Sequence, residues 1–406
     1  MGGVPILRDE LGRFYTSEIV SDYLVSNLAH TVPDKVLDLG AGAGSLSLAA
    51  RRRWERSQLV TVDVDKHSRK ALISGLQGTR HRHFQLDALS KELTQTLSHK
   101  VGKFDIAISN PPYVRPRWKV EYGEILEEVG FSSGLATITD ATADILFLAQ
   151  MLRVLSNKGK LGIIVPDGLV TNKIYTELRR IITTKFRLEN VIKLPRHAFE
   201  KTEAQAYIMI ISKSFKAPHN IRLEEMLADG TFKEPIFIQR CQASLRLDYS
   251  FHAFETKNKN SRKYRTLDNV GATISRGVLN SKQTRESANK VFHTTDFPTR
   301  KVNLKFSHVC HSKGPGDDGL ARKGDILLAR VGRNFYKKVG IVMTGATGFS
   351  DCVFRIRAPK KFQKAILVAL QSKSGQEWLA SRSKGVGAKL LSKFQLQEFP
   401  FERFSK

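Results

Sequence analysis

Nine residues constrain this chain more than any others: Val36-Leu37-Asp38-Leu39-Gly40-Ala41-Gly42-Ala43-Gly44, a mainly apolar run that breaks into alternating glycine and alanine. A run of this kind suits a strand buried on both faces of a parallel sheet. The glycines after it let the backbone turn sharply and approach a ligand at the carboxyl edge of that sheet, where open α/β folds bind their cofactors. The pattern recurs downstream. Lys35–Leu39, Leu59–Val62, Phe104–Ser109, Lys160–Val165, Val191–Lys193 and Ala206–Ser212 read as strands. Ala141–Leu155 repeats apolar residues at helical spacing until Asn157-Lys158-Gly159 ends it. The first half is therefore predicted to be an α/β domain, a Rossmann-like parallel sheet with crossover helices.

Acids stand at the predicted strand ends. Asp63-Val64-Asp65 follows the second strand, where a carboxylate can accept both ribose hydroxyls of an adenosine; Asp63 is favoured over Asp65 because it directly follows the strand. Asp87 ends His83-Phe84-Gln85-Leu86-Asp87 at a third strand end, able to meet an adenine edge. A nicotinamide dinucleotide site also combines glycines with a later acid. Here the spacing is Gly-x-Gly-x-Gly, and Asp38 precedes the turn, where it would repel a pyrophosphate but not a cationic sulfonium methionine. The predicted cofactor is S-adenosyl-L-methionine, held by Asp38, Gly40, Ala41, Gly42, Gly44, Asp63, Asp87 and Asn110.

Asn110-Pro111-Pro112-Tyr113 follows the strand Phe104–Ser109 immediately. Two prolines remove two backbone donors and fix the turn, so carbonyl oxygens can point into a cleft. Acceptors there suit an amine nucleophile. The exocyclic nitrogen of adenine is a poor one, because its lone pair is delocalised into the ring. Hydrogen bonds from its N–H groups to the Asn110 side-chain oxygen and the Pro111 carbonyl would draw it toward tetrahedral geometry and stabilise the developing positive charge. Tyr113 offers a ring face to a base held out of the stack. Phe199 is read either as a second stacking ring or as core filler. No catalytic histidine and no metal are needed.

The chain of 406 residues suits two domains, and its net charge of +27 is unevenly spread. From Arg246 onward there are 32 Lys and Arg against 12 Asp and Glu, a net of +20; the first 245 residues carry only +7. A concentrated basic excess points to a polyanion, here double-stranded DNA. The domain boundary is placed between 245 and 246, after a segment Lys213–Glu234 that reads as linker or satellite hairpin. Beyond it come short strand-like pieces and a helix near Ala365–Ser383, a smaller mixed α+β module. Cys241, Cys310 and Cys352 have no metal-ligand spacing and no pairing arithmetic, which suits reduced thiols in a cytoplasmic protein. No window is apolar enough for a spanning helix, so no membrane is expected.

The ordered set Phe14-Tyr15-Thr16-Ser17, Asp38 to Gly44, Asp63, Asp87, Asn110 to Tyr113, Ala143-Asp144-Ile145 and Phe199 resembles the gamma-class adenine-N6 DNA methyltransferases, the TaqI type, over roughly residues 10–215. Ser17 departs from the proline usual in the first motif. The resemblance implies that Phe14, Tyr15 and Thr16 contact the methionine end of the cofactor, and that Asn110, Pro111 and Tyr113 hold the adenine. The second half resembles a target-recognition domain of type I restriction specificity subunits, most clearly in Lys323-Gly324-Asp325-Ile326-Leu327-Leu328-Ala329-Arg330-Val331-Gly332-Arg333. Arg330 and Arg333 would then read guanine edges or hold phosphates, with Lys337, Lys338 and Lys384 at most on phosphates.

Three other readings remain open. Asn-Pro-Pro-Tyr also occurs in enzymes that methylate ribosomal RNA adenines and in those that methylate release-factor glutamines, and a DNA-binding specificity protein with a decayed catalytic half stays possible. The basic second half and the absence of a helical domain ahead of the motifs favour a site-specific DNA methyltransferase. Such a chain would be the modification enzyme of a restriction-modification system or an orphan. It is expected to be a monomer, with no nuclease of its own and with a separately encoded endonuclease as a further partner.

Overall fold

A computed structural model describes residues 16–28, 32–66, 72, 75–76, 80–196, 198–199, 205–214, 220–257, 264–280, 283, 291–298, 302–309, 319–385 and 388–405. The chain divides into two compact units, Met1–His252 and Ala253–Lys406.

The first unit holds a nine-stranded sheet. Its strands are β1 (Lys35–Leu39), β2 (Gln58–Asp63), β3 (His81–Gln85), β4 (Phe104–Ser109), β5 (Leu155–Pro166), β6 (Arg187–Lys193), β7 (Ala206–Ser212), β8 (Ile221–Glu225) and β9 (Ile236–Ile238). They lie in the order β3-β2-β1-β4-β5-β7-β6-β8-β9. From β3 to β5 every pair is parallel. Leu37, Leu39, Ile108 and Ile163 on the central strands are fully buried, as strands covered on both faces must be. The helices that matter for the site are α1 (Glu18–Ser26), α2 (Ser45–Arg53), α3 (Val120–Val129) and α4 (Ala143–Val154). Strand order reverses between β1 and β4, so the crevice of this α/β fold opens at the carboxyl ends of those two strands.

Three expectations are corrected. The sheet is mixed rather than wholly parallel, because β7 runs antiparallel to both β5 and β6. The connection between β6 and β7 holds no helix among its described residues, and without a crossover the chain returns reversed. The segment Lys213–Glu234 is not a satellite; it supplies β8, which pairs in parallel with β6 and carries β9 on its far edge. Ile221 and Leu223, fully buried at period two, were the strand signal that Pro218, Asn220 and Gly230 obscured. Finally, Asn157-Lys158-Gly159 does not follow a helix as its stop signal. α4 ends at Val154 and the chain enters β5 directly, with these residues in an irregular stretch where the β4–β5 register shifts.

The second unit is α+β. Strands β10 (Thr273–Arg276), β11 (Asn303–Val309), β12 (Leu320–Arg322), β13 (Ile326–Ala329), β14 (Val339–Gly348) and β15 (Val353–Arg357) form a sheet ordered β10-β15-β13-β14-β11, with β12 paired on β14. The helix expected near Ala365–Ser383 is two helices, α5 (Lys360–Gln371) and α6 (Lys373–Arg382). The break falls at Ser372, whose hydroxyl accepts from the Gly375 N–H at 3.0 Å and caps the second helix. Ile326, Leu328, Ile356, Ile366, Leu370 and Leu379 belong to one core between helices and sheet. Among the described residues no helix is long and apolar enough to cross a membrane.

Candidate active site

The glycine turn forms as β1 ends. The Gly40 N–H donates to the Val62 carbonyl at 2.8 Å, which bends the chain over the end of β2. Gly40 has φ of +74°, and a Cβ there would lie 2.9 Å from Cε1 of Phe147, so both backbone and space demand glycine. Gly42, at φ +53°, differs: a Cβ would meet nothing within 4 Å. Its N–H donates to Asp63 Oδ2 at 2.7 Å, while Asp63 Oδ1 accepts from the Asp65 N–H at 2.8 Å. Asp63 therefore braces the turn from the end of β2, and its carboxylate keeps further lone pairs for a ligand hydroxyl.

This turn walls a cavity of about 250 Å³. Of the residues singled out in the sequence, Thr16, Asp38, Gly40, Ala41, Gly42, Ala43, Asp63, Asp87, Asn110, Pro112 and Ala143 line it. Gly44, the residue before α2, and Pro111, Tyr113 and Phe199 are not on its wall. Phe14 and Tyr15 lie outside the described residues. Asp87 is exposed at the rim, where its Oδ1 accepts from the Leu89 N–H at 2.8 Å.

Asp38 is fully buried. Its Oδ2 accepts from the Ser47 hydroxyl at 2.5 Å, and its Oδ1 is buried without a hydrogen-bond partner among the described residues. Burial raises its pKa to about 7; the Ser47 hydrogen bond opposes that rise and the nearby Asp63 charge adds to it. A buried carboxylate acceptor with no cation beside it among the described residues is what a positively charged ligand completes. S-adenosyl-L-methionine, with a cationic sulfur and an ammonium, fits this donor set and the open space beside Gly42.

The ends of β1 and β4 are tied together, since the Ser109 hydroxyl donates to the Leu39 carbonyl at 2.6 Å. Asn110 follows. Its Nδ2 donates to Thr16 Oγ1 at 3.0 Å, so the amide oxygen is the end that turns away from Thr16. Thr16 in turn forms an antiparallel bridge with Phe199. Three remote segments thus meet around one amide. Beyond the prolines, the Val114 carbonyl accepts from the Ala143 N–H at 3.0 Å and docks the loop on the start of α4.

The aromatic pair is arranged less openly than a base sandwich. Tyr113 and Phe199 stand edge to face, with centroids 6.5 Å apart and planes at 87°. Phe199 is only 4% exposed within the core cluster, the core-filler placement, and presents no free face. Burial, and secondarily the Asp144 carboxylate, pushes the Tyr113 hydroxyl well above the ordinary phenol range. Asp144 is itself buried at the start of α4, its pKa raised by that burial to about 6. Among the residues of the site not singled out from the sequence, Ser47, behind Asp38, and Phe147, on the wall, matter most for its geometry. Ser47 is the hydroxyl three residues past the last glycine of the loop, and Phe147 lies one helical turn from Ala143, a spacing that reads as ordinary core.

In the second unit the predicted cations separate. The Arg330 Nε donates to the Asp351 carbonyl at 2.7 Å, with its guanidinium largely buried and 6.0 Å from the Phe354 ring centroid; it is committed inside the unit. Lys338 donates to the Thr294 carbonyl at 2.8 Å. Arg333 and Lys337 are exposed. The loop after β13 meets the stretch after α6: the Gly332 N–H donates to the Lys389 carbonyl at 2.9 Å, the Leu391 N–H donates to the Arg330 carbonyl at 3.0 Å, and Lys384 bridges Leu390. Two basic segments far apart in sequence are joined.

A family model described as N-6 DNA Methylase matches residues 7–227, a little over half of the chain. Among curated proteins the chain is similar to the type I restriction enzyme EcoEI methylase subunit of Escherichia coli, 23% identical over 216 residues that cover 48% of this chain and 42% of that protein. It is also similar to the type II methyltransferase M.CvrRI of Paramecium bursaria Chlorella virus XZ-6E, 21% identical over 210 residues, 51% of this chain and 49% of that protein. The chain spans about half the length of these curated relatives. Among solved structures, a modification subunit of a putative type I restriction enzyme from Vibrio vulnificus YJ016 aligns with a TM-score of 0.45 at 18% identity, over 55% of this chain and 49% of that one.

Proposed function

The chain belongs to the N-6 DNA methylase family, and on that premise we propose that it is a site-specific DNA methyltransferase acting on the exocyclic N6 of an adenine turned out of the duplex. The observation that carries the reading is the meeting of Asp38 and Asn110 on one cavity wall, with Thr16 holding the Asn110 amide. S-adenosyl-L-methionine, when bound, supplies a methyl group on a positively charged sulfur. Asp38 would hold its cationic methionine end, Asp63 the ribose hydroxyls and Asp87 the rim beside the adenine. Asn110 Oδ1 and the Pro111 carbonyl accept the two N–H groups of the target amine. They localise its lone pair and stabilise the positive charge that grows on it; one such acceptor is worth about 3 kcal/mol. Tyr113, half-buried, steadies the extruded base, and Phe199 supports Tyr113 from the core rather than stacking itself.

The second unit would read the DNA sequence. Its support is the net charge of +20 from residue 246 onward, together with the joined loops that bring Arg333 and Lys384 to one segment. Arg333, Lys337 and Lys384 are the proposed contacts. Arg330, occupied by Asp351, is left as the scaffold of that loop. As a modification enzyme the chain would act as a monomer and protect DNA from a separately encoded endonuclease. Transfer of labelled methyl from S-adenosyl-L-methionine to duplex DNA, to ribosomal RNA and to a release factor tests the reading. DNA should be labelled and the other two not; label in RNA or protein alone would overturn it.

A further inference from the structure

Directly after the motif the chain runs Arg115-Pro116-Arg117-Trp118-Lys119, a segment to which the mechanism above gives no task. It leaves the cavity at Val114, a wall residue pinned by the Ala143 N–H. Along it exposure alternates: Arg115, Arg117 and Lys119 are exposed, Pro116 and Trp118 half-buried. The Trp118 ring stands edge to face with Tyr122 of α3, centroids 5.7 Å apart. The indole thus moors the segment to the helix while the cations face outward. Lys119 is extended, at φ −129° and ψ 148°. Alternate side chains on extended backbone lie roughly 6.6 Å apart, a row suited to successive charges on one strand.

These cations are available. Arg115 pairs with Asp140 at 2.5 Å and Lys119 with Glu121 at 3.4 Å, but all four side chains are well exposed or nearly so. Such pairs contribute about 0–1 kcal/mol and exchange readily for a stronger anion. Arg117 has no ion pair among the described residues. From Tyr113 to Arg117 an extended chain covers at most about 14 Å.

We propose that Arg115–Lys119 grips the sugar-phosphate backbone of the DNA strand carrying the target adenine, beside the extruded nucleotide, with Arg117 as the principal contact. The inference rests on the reading of the cavity as a DNA adenine site. Turning a base out rotates its own backbone, and cations fixed next to the base pocket hold that backbone in the rotated position. The first 245 residues carry little net charge, +7, so a phosphate contact beside the cavity needs a local source of this kind.

The test follows methyl transfer by the full chain to unmethylated plasmid DNA across a range of salt. Arg117→Gln should raise the KM for DNA several-fold with kcat little changed. It should also lower the salt slope of log kcat/KM by about one, the signature of one lost phosphate contact. Arg117→Lys should keep the slope, since a phosphate accepts either cation. Lys158→Gln, exposed near the amino end of β5 and so at the sheet edge opposite Asn110, should leave KM and slope unchanged. Cofactor affinity should be equal in all four proteins. An Arg117→Gln enzyme with wild-type slope and KM overturns the proposal, as does an equal loss of slope in Lys158→Gln. A wild-type chain that labels no DNA overturns the underlying reading and this inference with it.

Discussion

Asn110 Nδ2 donates a 3.0 Å hydrogen bond to Thr16 Oγ1, joining a residue at the carboxyl end of β4 to one that precedes α1 by two positions. The bond turns the amide oxygen away from Thr16, and in the proposed reading that oxygen is the end a substrate amine would meet. It also makes a buried hydroxyl, 94 residues away in sequence, part of the motif's geometry.

Thr16→Val keeps the shape and removes the acceptor. The Asn110 amide then loses one net hydrogen bond, worth about 1 kcal/mol, and kcat should fall roughly fivefold with cofactor affinity less affected. Thr16→Ser should restore most of the rate. A Thr16→Val enzyme with normal kcat in single-turnover assays would show that Asn110 is oriented by other means.

Asp38 sets a pH dependence of definite sign. Its folded-state pKa, about 7, lies above the ordinary carboxylate value, so the folded state binds the extra proton between roughly pH 4 and 7. Stability of the ligand-free protein from this group is therefore fullest at low pH and falls as pH rises toward 7. A cationic cofactor requires the ionised form, so its affinity should rise with pH through the same window and binding should release protons. Asp38→Asn should remove both effects: higher melting temperature at pH 8 without cofactor, and weak, pH-independent cofactor binding by calorimetry.

The two cavity glycines should separate folding from binding. Gly40→Ala meets the Phe147 ring in addition to its positive φ, and should cost about 2–4 kcal/mol in denaturant unfolding. Gly42→Ala meets only the backbone penalty, about 1 kcal/mol, yet places a methyl on the wall where the cofactor would lie. Cofactor affinity should fall more than stability does. Phe147→Leu should relieve part of the Gly40→Ala loss in a double-mutant cycle.

The two arginines of the loop after β13, which we propose lies on DNA, should divide in the same way. Arg330→Ala removes a partly buried hydrogen bond to the Asp351 carbonyl and should lower the melting temperature. Arg333→Ala, at an exposed position, should leave melting nearly unchanged and weaken DNA binding. Equal effects on both properties for both variants would contradict the assignment.

The site was legible wherever a local pattern ends a strand. Asp38, Gly40, Asp63 and Asn110 each follow or close an apolar run, and chain chemistry alone puts such residues at the carboxyl edge of the sheet. The contacts that orient them were hidden, because Thr16–Asn110 and Ser47–Asp38 depend on tertiary placement rather than spacing. Reversal of β7 was missed for a related reason: its apolar content is the same whichever way it runs, and direction is decided by the connection before it. In the second unit charge singled out basic stretches, but charge cannot distinguish Arg333 at the surface from Arg330 folded against Asp351.

The central claim is that Asn110 presents an acceptor to the N6 amine of adenine in DNA. Nucleoside mass spectrometry of DNA incubated with the full chain and S-adenosyl-L-methionine tests it directly. Wild-type protein should produce N6-methyl-2′-deoxyadenosine, and Asn110→Ala should produce about a hundredfold less or none while still binding DNA. N6-methyl-2′-deoxyadenosine at the wild-type rate from Asn110→Ala, or methylation of a different base by the wild type, would contradict the account.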